Sequence, residues 1–389
     1  MQSCPKECIV SITGLTGPGR LTAGELIMAV PAINTPQNPV IRWLDERLGI
    51  MEQDYPVPAH SMSLLHSLGM LTLAAFALLS VTGLYLLQFT SSNPESARDS
   101  LMFLVTRVEY GNFVRSVHFW AGNLMVVTAT LHLLRVFWSG SYKRPREMQW
   151  VIGVFLLTVV VMIYFTGTVI KWDQVGYEAL VHNQDILGFV VGPLMNILIN
   201  DPSGITPFMT KLYRFHTIIF PALFIVLLLP HLMLVKRNHI SPIPKRNKYS
   251  WTGSTGKDDS TDGEQSTFFR IQMIHVGYCF LFAAVVGLLA LAYPPSIGPK
   301  VILGVEITRP AWVFWYTHAI GNQWGLIPLT VGTLISPVIL LLVPFLDRSK
   351  KLHILDRKRM AIAAIIVILL WVALTSFVGF AAEHQHIGV

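Results

Sequence analysis

Apolar residues run on almost without polar interruption in seven places along this chain, about 64–89, 114–138, 151–170, 215–235, 271–293, 325–346 and 361–381. Each run is close to the roughly 20 residues a helix needs to cross a hydrocarbon layer about 30 Å thick. The pattern predicts an all-α polytopic membrane protein of seven spans. Between the third and fourth runs, residues 172–213 are too many for a tight turn. The apolar piece "DILGFVVGPLMNILI", broken at Gly192-Pro193, predicts a helical hairpin on the outer surface. Residues 244–267 are polar, rich in Gly and Ser and aperiodic, and so read as a linker between a four-span and a three-span block. The domain reading is therefore a tail over 1–60, whose "IRWLDERLGI" is amphipathic enough to lie on a membrane face, and a four-helix domain over 61–240. A flexible linker over 241–268 and a three-helix domain over 269–389 complete it. The Pro- and Trp-rich stretch 294–324 is expected to pack at the membrane interface.

Composition supports this pattern. The 389 residues are 52% hydrophobic and 13% charged, about half the charge of an ordinary soluble protein. The net charge of +7 is not a nucleic-acid signature, because the basic residues crowd alternate connections. These are Lys143, Arg144 and Arg146; then Lys236, Arg237, Lys245, Arg246 and Lys248; then Arg348, Lys350, Lys351, Arg357, Lys358 and Arg359. Alternation of this kind puts the N-terminus and the linker in the cytoplasm and the C-terminus outside. Cys4, Cys8 and Cys279 form no disulfide framework, and no C-x-x-C-H is present for covalent haem. Residues 1–40 hold no long apolar run, so no signal peptide is expected.

The candidate chemistry lies in the second and fourth spans. His118 and His132 are fourteen residues apart, and His216 and His231 are fifteen apart. Fourteen steps of 100° come within about 40° of four whole turns, so His118 and His132 share a face and stand about 21 Å apart. With the two helices laid antiparallel, an outer pair, His118 with His216, and an inner pair, His132 with His231, are expected. Gly69 and Gly83 in the first span repeat the fourteen-residue period, as do Gly153 and Gly167 in the third. A missing side chain lets a flat group come close to the backbone. Two helices would thus supply ligands and two would supply clearance, a four-helix bundle around two stacked macrocycles, each iron held by two histidines. Taken singly, an intramembrane histidine bonded to a carbonyl, or a glycine used for helix packing, is equally ordinary; the shared period on four helices favours the cofactor. Arg115 and Lys211 on the outer side, and Arg135 on the inner side, are placed to meet haem propionates or simply to snorkel.

These residues also resemble a known family. "RSVHFW…LHLLRVFWSGSYKRPREMQW", "KWDQVGY" and the His216/His231 pair are similar to cytochrome b of the bc-type quinol oxidoreductases. The fifteen-residue spacing and "WDQVGY" point to the chloroplast-type branch, in which a four-helix cytochrome b and a three-helix partner are separate chains. Here both lie in one chain, and the resemblance covers about residues 41–382. It implies two non-covalent b-type haems and oxidation of quinol at an outer site. One electron would go to a Rieske-type iron–sulfur protein and the other through the outer and inner haems to quinone. It further implies a c-type cytochrome subunit and a homodimer in an energy-transducing membrane. Three departures stand out. Ser67 occupies the position of the branch's haem-attaching cysteine, so no covalent haem is expected. Lys171 replaces the proline before "WDQ". The quinol-site Pro-Glu-Trp-Tyr is replaced by Pro310, Ala311, Trp312 and Val313, without the carboxylate that accepts a quinol proton. Glu178, directly after "WDQVGY", is the first candidate replacement and Glu306 the second, both with Pro310 and Trp312 at the site. Two other readings remain: a dihaem anchor that relays electrons without bifurcation, and a non-redox transporter.

Overall fold

The computed structural model describes residues 56–192, 207–241 and 265–380. Among these, seven helices are long and apolar enough to span a membrane: α1 (Leu64–Leu87), α3 (Gly111–Trp138), α4 (Glu147–Ile170), α6 (Phe208–Asn238), α7 (Phe268–Ala292), α9 (Leu326–Leu346) and α10 (Lys358–Phe380). Three shorter helices connect them: α2 (Pro94–Arg107), α5 (Gln174–Val191) and α8 (Trp315–Trp324). All seven expected spans are present, and the chain is an all-α integral membrane protein.

The local signals act where the sequence places them. α2 opens on Pro94 at its first position, with the Asn93 side chain accepting from the Glu95 N–H. α5 opens on Asp173, whose carboxylate accepts from the Gly176 N–H. α5 is the first arm of the expected hairpin; the remainder, 193–206, lies outside the described residues, as do the amphipathic stretch 41–50 and linker residues 242–264. The last residues of the expected linker are not free: Gln265–Thr267 forms strand β2, antiparallel to β1 (Pro56–Pro58). Its extended backbone satisfies its polar groups against a second extended segment.

The core runs through α1, α3, α4, α6 and α7. Ala75 and Ala121 are wholly buried and let α1 and α3 approach closely, while Met125, Val160, Phe224 and Val286 fill the remaining volume. Outward-facing positions such as Val81, Val226, Phe280, Leu288 and Ile366 leave their apolar side chains exposed, as lipid-facing positions require.

One expectation about direction is corrected. The odd spans run opposite to the even ones, so α3 and α6, the second and fourth, run parallel rather than antiparallel. Pairing first histidine with first histidine needs that parallel arrangement. The three basic connections meet at one end of the molecule, where Ser141 bonds Ser241 at 2.6 Å and Arg146 donates to the Asn238 carbonyl at 2.9 Å. Lys143 meets Asp347 at 3.1 Å at the same end. At the other end Thr90 meets Tyr213 at 3.0 Å, and Arg98 donates to the Gly298 carbonyl at 3.2 Å.

Candidate functional site

Four histidines project from α3 and α6 into the bundle, each backed by one of the four glycines. A Cβ placed on Gly83 would lie 3.3 Å from the His118 Cε1, and one on Gly167 would lie 2.9 Å from that of His216. At the second level, Gly69 faces His132 at 3.2 Å and Gly153 faces His231 at 3.4 Å. The glycines therefore seat the imidazoles; the clearance expected for a macrocycle is first of all clearance for the ligand rings.

The outer pair is well defined. The ring centres of His118 and His216 are 6.3 Å apart. Two imidazoles bound through nitrogen at about 2 Å from one shared metal also have their ring centres about 6 Å apart. Thr82 Oγ1 lies 2.9 Å from His118 Nδ1, and Thr166 Oγ1 lies 3.1 Å from His216 Nδ1. Engaging Nδ1 leaves Nε2 as the nitrogen available to an iron. At the second level, His132 and His231 are close enough to interact electrostatically; the buried His132 Nδ1 has no hydrogen-bond partner among the described residues, and the Gln149 backbone lies near His231. Two imidazoles, a glycine behind each and apolar walls between them form a donor set that suits a flat, mostly apolar haem at both levels.

The unequal spacing of the two ligand helices has a local cause. Fifteen helical steps overshoot four turns by about 60°. Residues Phe215–Ile219 wind as a π-helical turn, closed by the Phe220 N–H to the Phe215 carbonyl. A turn of this kind absorbs one extra residue, so His216 and His231 still face the same way.

The expected cations divide. The Arg115 guanidinium donates to the carbonyls of Pro295 at 2.7 Å and Ser296 at 3.2 Å, so it holds the loop after α7. Arg135 follows His132 by one turn of α3, and Lys211 precedes the π-turn in α6. Ser67 is fully buried and donates to the Leu64 carbonyl at 2.7 Å.

The stretch "KWDQVGYE" clamps the loop between α7 and α8. Lys171 pairs with Asp173 at 3.0 Å, and Asp173 Oδ2 accepts from the Gly298 N–H at 3.1 Å. A Cβ on Gly298 would lie 2.5 Å from that oxygen, so the close approach requires glycine there. Gln174 accepts from the Ile302 N–H at 2.7 Å and donates to the Val305 carbonyl at 2.6 Å. Glu178 is buried and accepts from the Ile307 N–H at 2.8 Å, the Gln174 amide at 2.9 Å, the Thr308 N–H at 3.1 Å and the Thr308 hydroxyl at 2.6 Å. Glu178, Glu306 and Pro310 line one cleft together with His182, Thr308 and His318. Across it, Glu306 Oε2 stands 3.7 Å from His182 Nε2, both side chains about a quarter exposed. Trp312 reaches further in and donates to Asn123 Oδ1 at 2.6 Å, which Tyr164 also meets at 3.0 Å.

Sequence reasoning missed Asn123, His182 and the two threonines. The threonines had a signal, because both outer glycines sit in Thr-Gly pairs, Thr82-Gly83 and Thr166-Gly167.

Comparison with known proteins supplies the family. Residues 123–309 match the family model described as cytochrome b(N-terminal)/b6/petB. Cytochrome b6 of Heliobacterium mobile is 37% identical over 210 residues, covering 52% of this chain and 99% of that one. Cytochrome b6 of a Synechococcus species (strain RCC307) is 34% identical over 212 residues, covering 52% of this chain and 97% of its own. A solved structure titled hyperthermophilic respiratory Complex III superposes with a TM-score of 0.74 at 21% identity, over 88% of this chain and 92% of that one, a likeness of fold. The protein is a haem-binding membrane oxidoreductase subunit of the electron-transport class. It belongs to the cytochrome b/b6 family, whose members are subunits of bc-type complexes.

Proposed function

We propose that this chain binds two non-covalent b-type haems, one through His118 and His216 and one through His132 and His231, and serves a quinol-oxidising bc-type complex. The observation that carries this reading is the pairing of histidines in two layers, each ring seated on its own glycine. When bound, the haem irons would supply one-electron carriers at the two levels marked by His118 and His132, residues whose positions stand about 21 Å apart along α3. The chain's own part is to fix the rings, exclude water and receive quinol. Ser67, in place of a cysteine, offers no thiol for covalent attachment. Orientation follows from the basic connections at one end, which we assign to the cytoplasm, together with the N-terminus and the linker. The domain division at 61–240 and 269–389 belongs to the same reading, as do a Rieske-type iron–sulfur protein, a c-type cytochrome subunit and a homodimer as the assembly.

The quinol site on this reading is the cleft beside Pro310, with Trp312 directed toward the outer pair through Asn123. Glu178 is the less suited of the two expected proton acceptors. Its oxygens are filled by donors that hold the loop carrying Pro310, which makes it a positioning residue. Glu306 lies open in the cleft, and His182 stands next to it on the way to water. Oxidation of quinol releases two electrons and two protons; bound haem would offer the acceptor for one electron, and the iron–sulfur partner would take the other with one proton. The second proton moves from the quinol oxygen to the Glu306 carboxylate and on to His182.

A reduced-minus-oxidised spectrum of the purified chain tests the reading first: two b-type components are expected, and their absence sinks it. Replacing His132 or His231 with Ala should remove the inner component and leave the outer one. Glu306→Gln should slow quinol-dependent haem reduction by about a hundredfold or more, the low end for a general base, with unchanged spectra. A parent-like rate across neutral pH would remove Glu306 from the role. Bifurcation is tested by co-purification, since only that scheme needs a Rieske-type partner.

A further inference from the structure

The two histidine layers differ in what stands behind the ring, and the difference repeats on both helices that carry glycine. Each outer glycine follows a threonine, Thr82 or Thr166, while the inner glycines follow Leu68 and Ile152. Each threonine has one hydroxyl proton, and the structure shows where it goes. Thr82 donates to the Leu78 carbonyl at 2.6 Å, and Thr166 to the Met162 carbonyl at 2.8 Å. The oxygen lone pairs are then left to accept from the imidazole, at 2.9 Å from His118 Nδ1 and 3.1 Å from His216 Nδ1. His216 Nδ1 also lies 3.0 Å from the Ile163 carbonyl, so its proton is shared between two acceptors. The inner rings meet no side-chain hydroxyl: the buried His132 Nδ1 has no hydrogen-bond partner among the described residues, and what lies near His231 is the backbone of Gln149.

From this asymmetry we infer that Thr82 and Thr166 lower the reduction potential of the outer haem through its two histidine ligands. An acceptor on Nδ1–H pulls that proton away from the ring and makes the opposite nitrogen a stronger donor to iron. A stronger donor stabilises the oxidised iron more than the reduced iron and lowers the potential, one of the levers a protein has over a haem. Both outer ligands carry the hydroxyl acceptor and neither inner ligand does, so the two contributions on the outer iron add. The threonines are positioning residues and touch no substrate. The inference rests on the proposed haem ligation.

Redox titration of the haem absorbance in the purified complex tests it without any turnover. Thr82→Val keeps the branched shape and removes the acceptor, as does Thr166→Val. Each should raise the midpoint of the outer component, and the double variant should raise it further. The expected double effect is a tenfold change in the reduced-to-oxidised ratio at fixed potential, about 59 mV for one electron. The inner midpoint should stay in place, and Thr82→Ser should titrate like the parent. The reciprocal variant Ile152→Thr puts a hydroxyl behind His231 and should lower the inner midpoint. It also keeps the test decisive if the valine variants lose haem. A parent with two b-type components whose midpoints ignore all of these changes overturns the inference and leaves the ligation reading standing. A parent with no b-type components overturns the ligation reading itself.

Discussion

At the scale of single residues, the four glycines carry the sharpest consequence of the geometry. Each faces the Cε1 edge of an imidazole at the place a methyl group would enter, and the four gaps are unequal. Alanine at Gly167 would bring its Cβ to 2.9 Å from the His216 ring, against 3.4 Å for alanine at Gly153 and the His231 ring. A close-packed interior cannot absorb the shorter contact without moving the ring. Gly167→Ala is therefore expected to shift or abolish the outer haem spectrum while Gly153→Ala leaves most of the inner one. Spectra of the two variants side by side check the ordering, and equal loss at both sites would contradict it. The glycines were legible in the sequence because helical periodicity converts spacing into shared facing without any tertiary information. The threonines before the two outer glycines were not read, because spacing marks the glycines and says nothing of the residue that precedes each. Nor was His182, because its partner Glu306 is 124 positions away and nothing in either local stretch marks the meeting. Asn123 reads as a stray polar residue in an apolar span until Trp312 and Tyr164 are seen to converge on it.

At the scale of elements, the two blocks are held together by side chains from the loops that join the spans. Between α9 and α10, Asp347 lies buried and meets Lys143 and Arg357, each at 3.1 Å, with the Tyr142 hydroxyl donating to the same Oδ2. Arg357 also donates to the last carbonyls of α3, Phe137 and Trp138, at 3.0 Å each. Those are among the acceptors a helix C-terminus leaves unsatisfied. Lys143 donates to the Ser349 carbonyl as well. Burial pushes the Asp347 carboxyl upward, but the Tyr142 hydroxyl, Lys143 and Arg357 outweigh it and hold the group below its ordinary value of 3.8. The sign follows from linkage. A carboxylate with a folded value below its unfolded one stabilises fully above the unfolded value and loses that contribution as pH falls through the folded value. Asp347→Asn leaves Lys143 and Arg357 buried without their counter-charge, and removing one partner of a buried pair costs about 3–5 kcal/mol. The variant is expected to unfold at a lower temperature in detergent at neutral pH and to lose the parent's decline in stability below about pH 3.8. Thermal unfolding measured from pH 7 down to pH 3 checks both features. Only the spread of basic residues was visible beforehand; that Lys143 and Arg357 face one buried aspartate depends on how α3, α4, α9 and α10 bring their loops together.

At the scale of the whole molecule, the spans and the loops at their ends supply contacts that unite the blocks. One end is held by the Asp347 cluster and by Trp150, which donates to the Leu340 carbonyl at 2.6 Å. The other end is held by the Asp173, Gln174 and Glu178 clamp on residues 298–308 and by Arg115 on the loop after α7. Between the ends, α7 packs on α1 and α3, and Phe282 and Val286 belong to the same buried core as Ala75 and Ala121. Of the described residues in the expected linker, Gln265–Thr267 pairs with Pro56–Pro58 and Ser241 bonds Ser141. A chain break well before that strand leaves all of these contacts available, because each forms between groups presented by the folded spans. Co-expression of residues 1–250 and 260–389 as separate chains should therefore give an assembled complex that purifies through a tag on either fragment and retains the haem spectrum of the uncut chain. Adding Asp347→Asn to the second fragment should weaken that association more than it weakens the uncut chain, since the split pair has no covalent link to keep the blocks at high effective concentration. If both fragments insert and bind no partner, the connection has a role in joining the blocks that the loop clusters cannot replace.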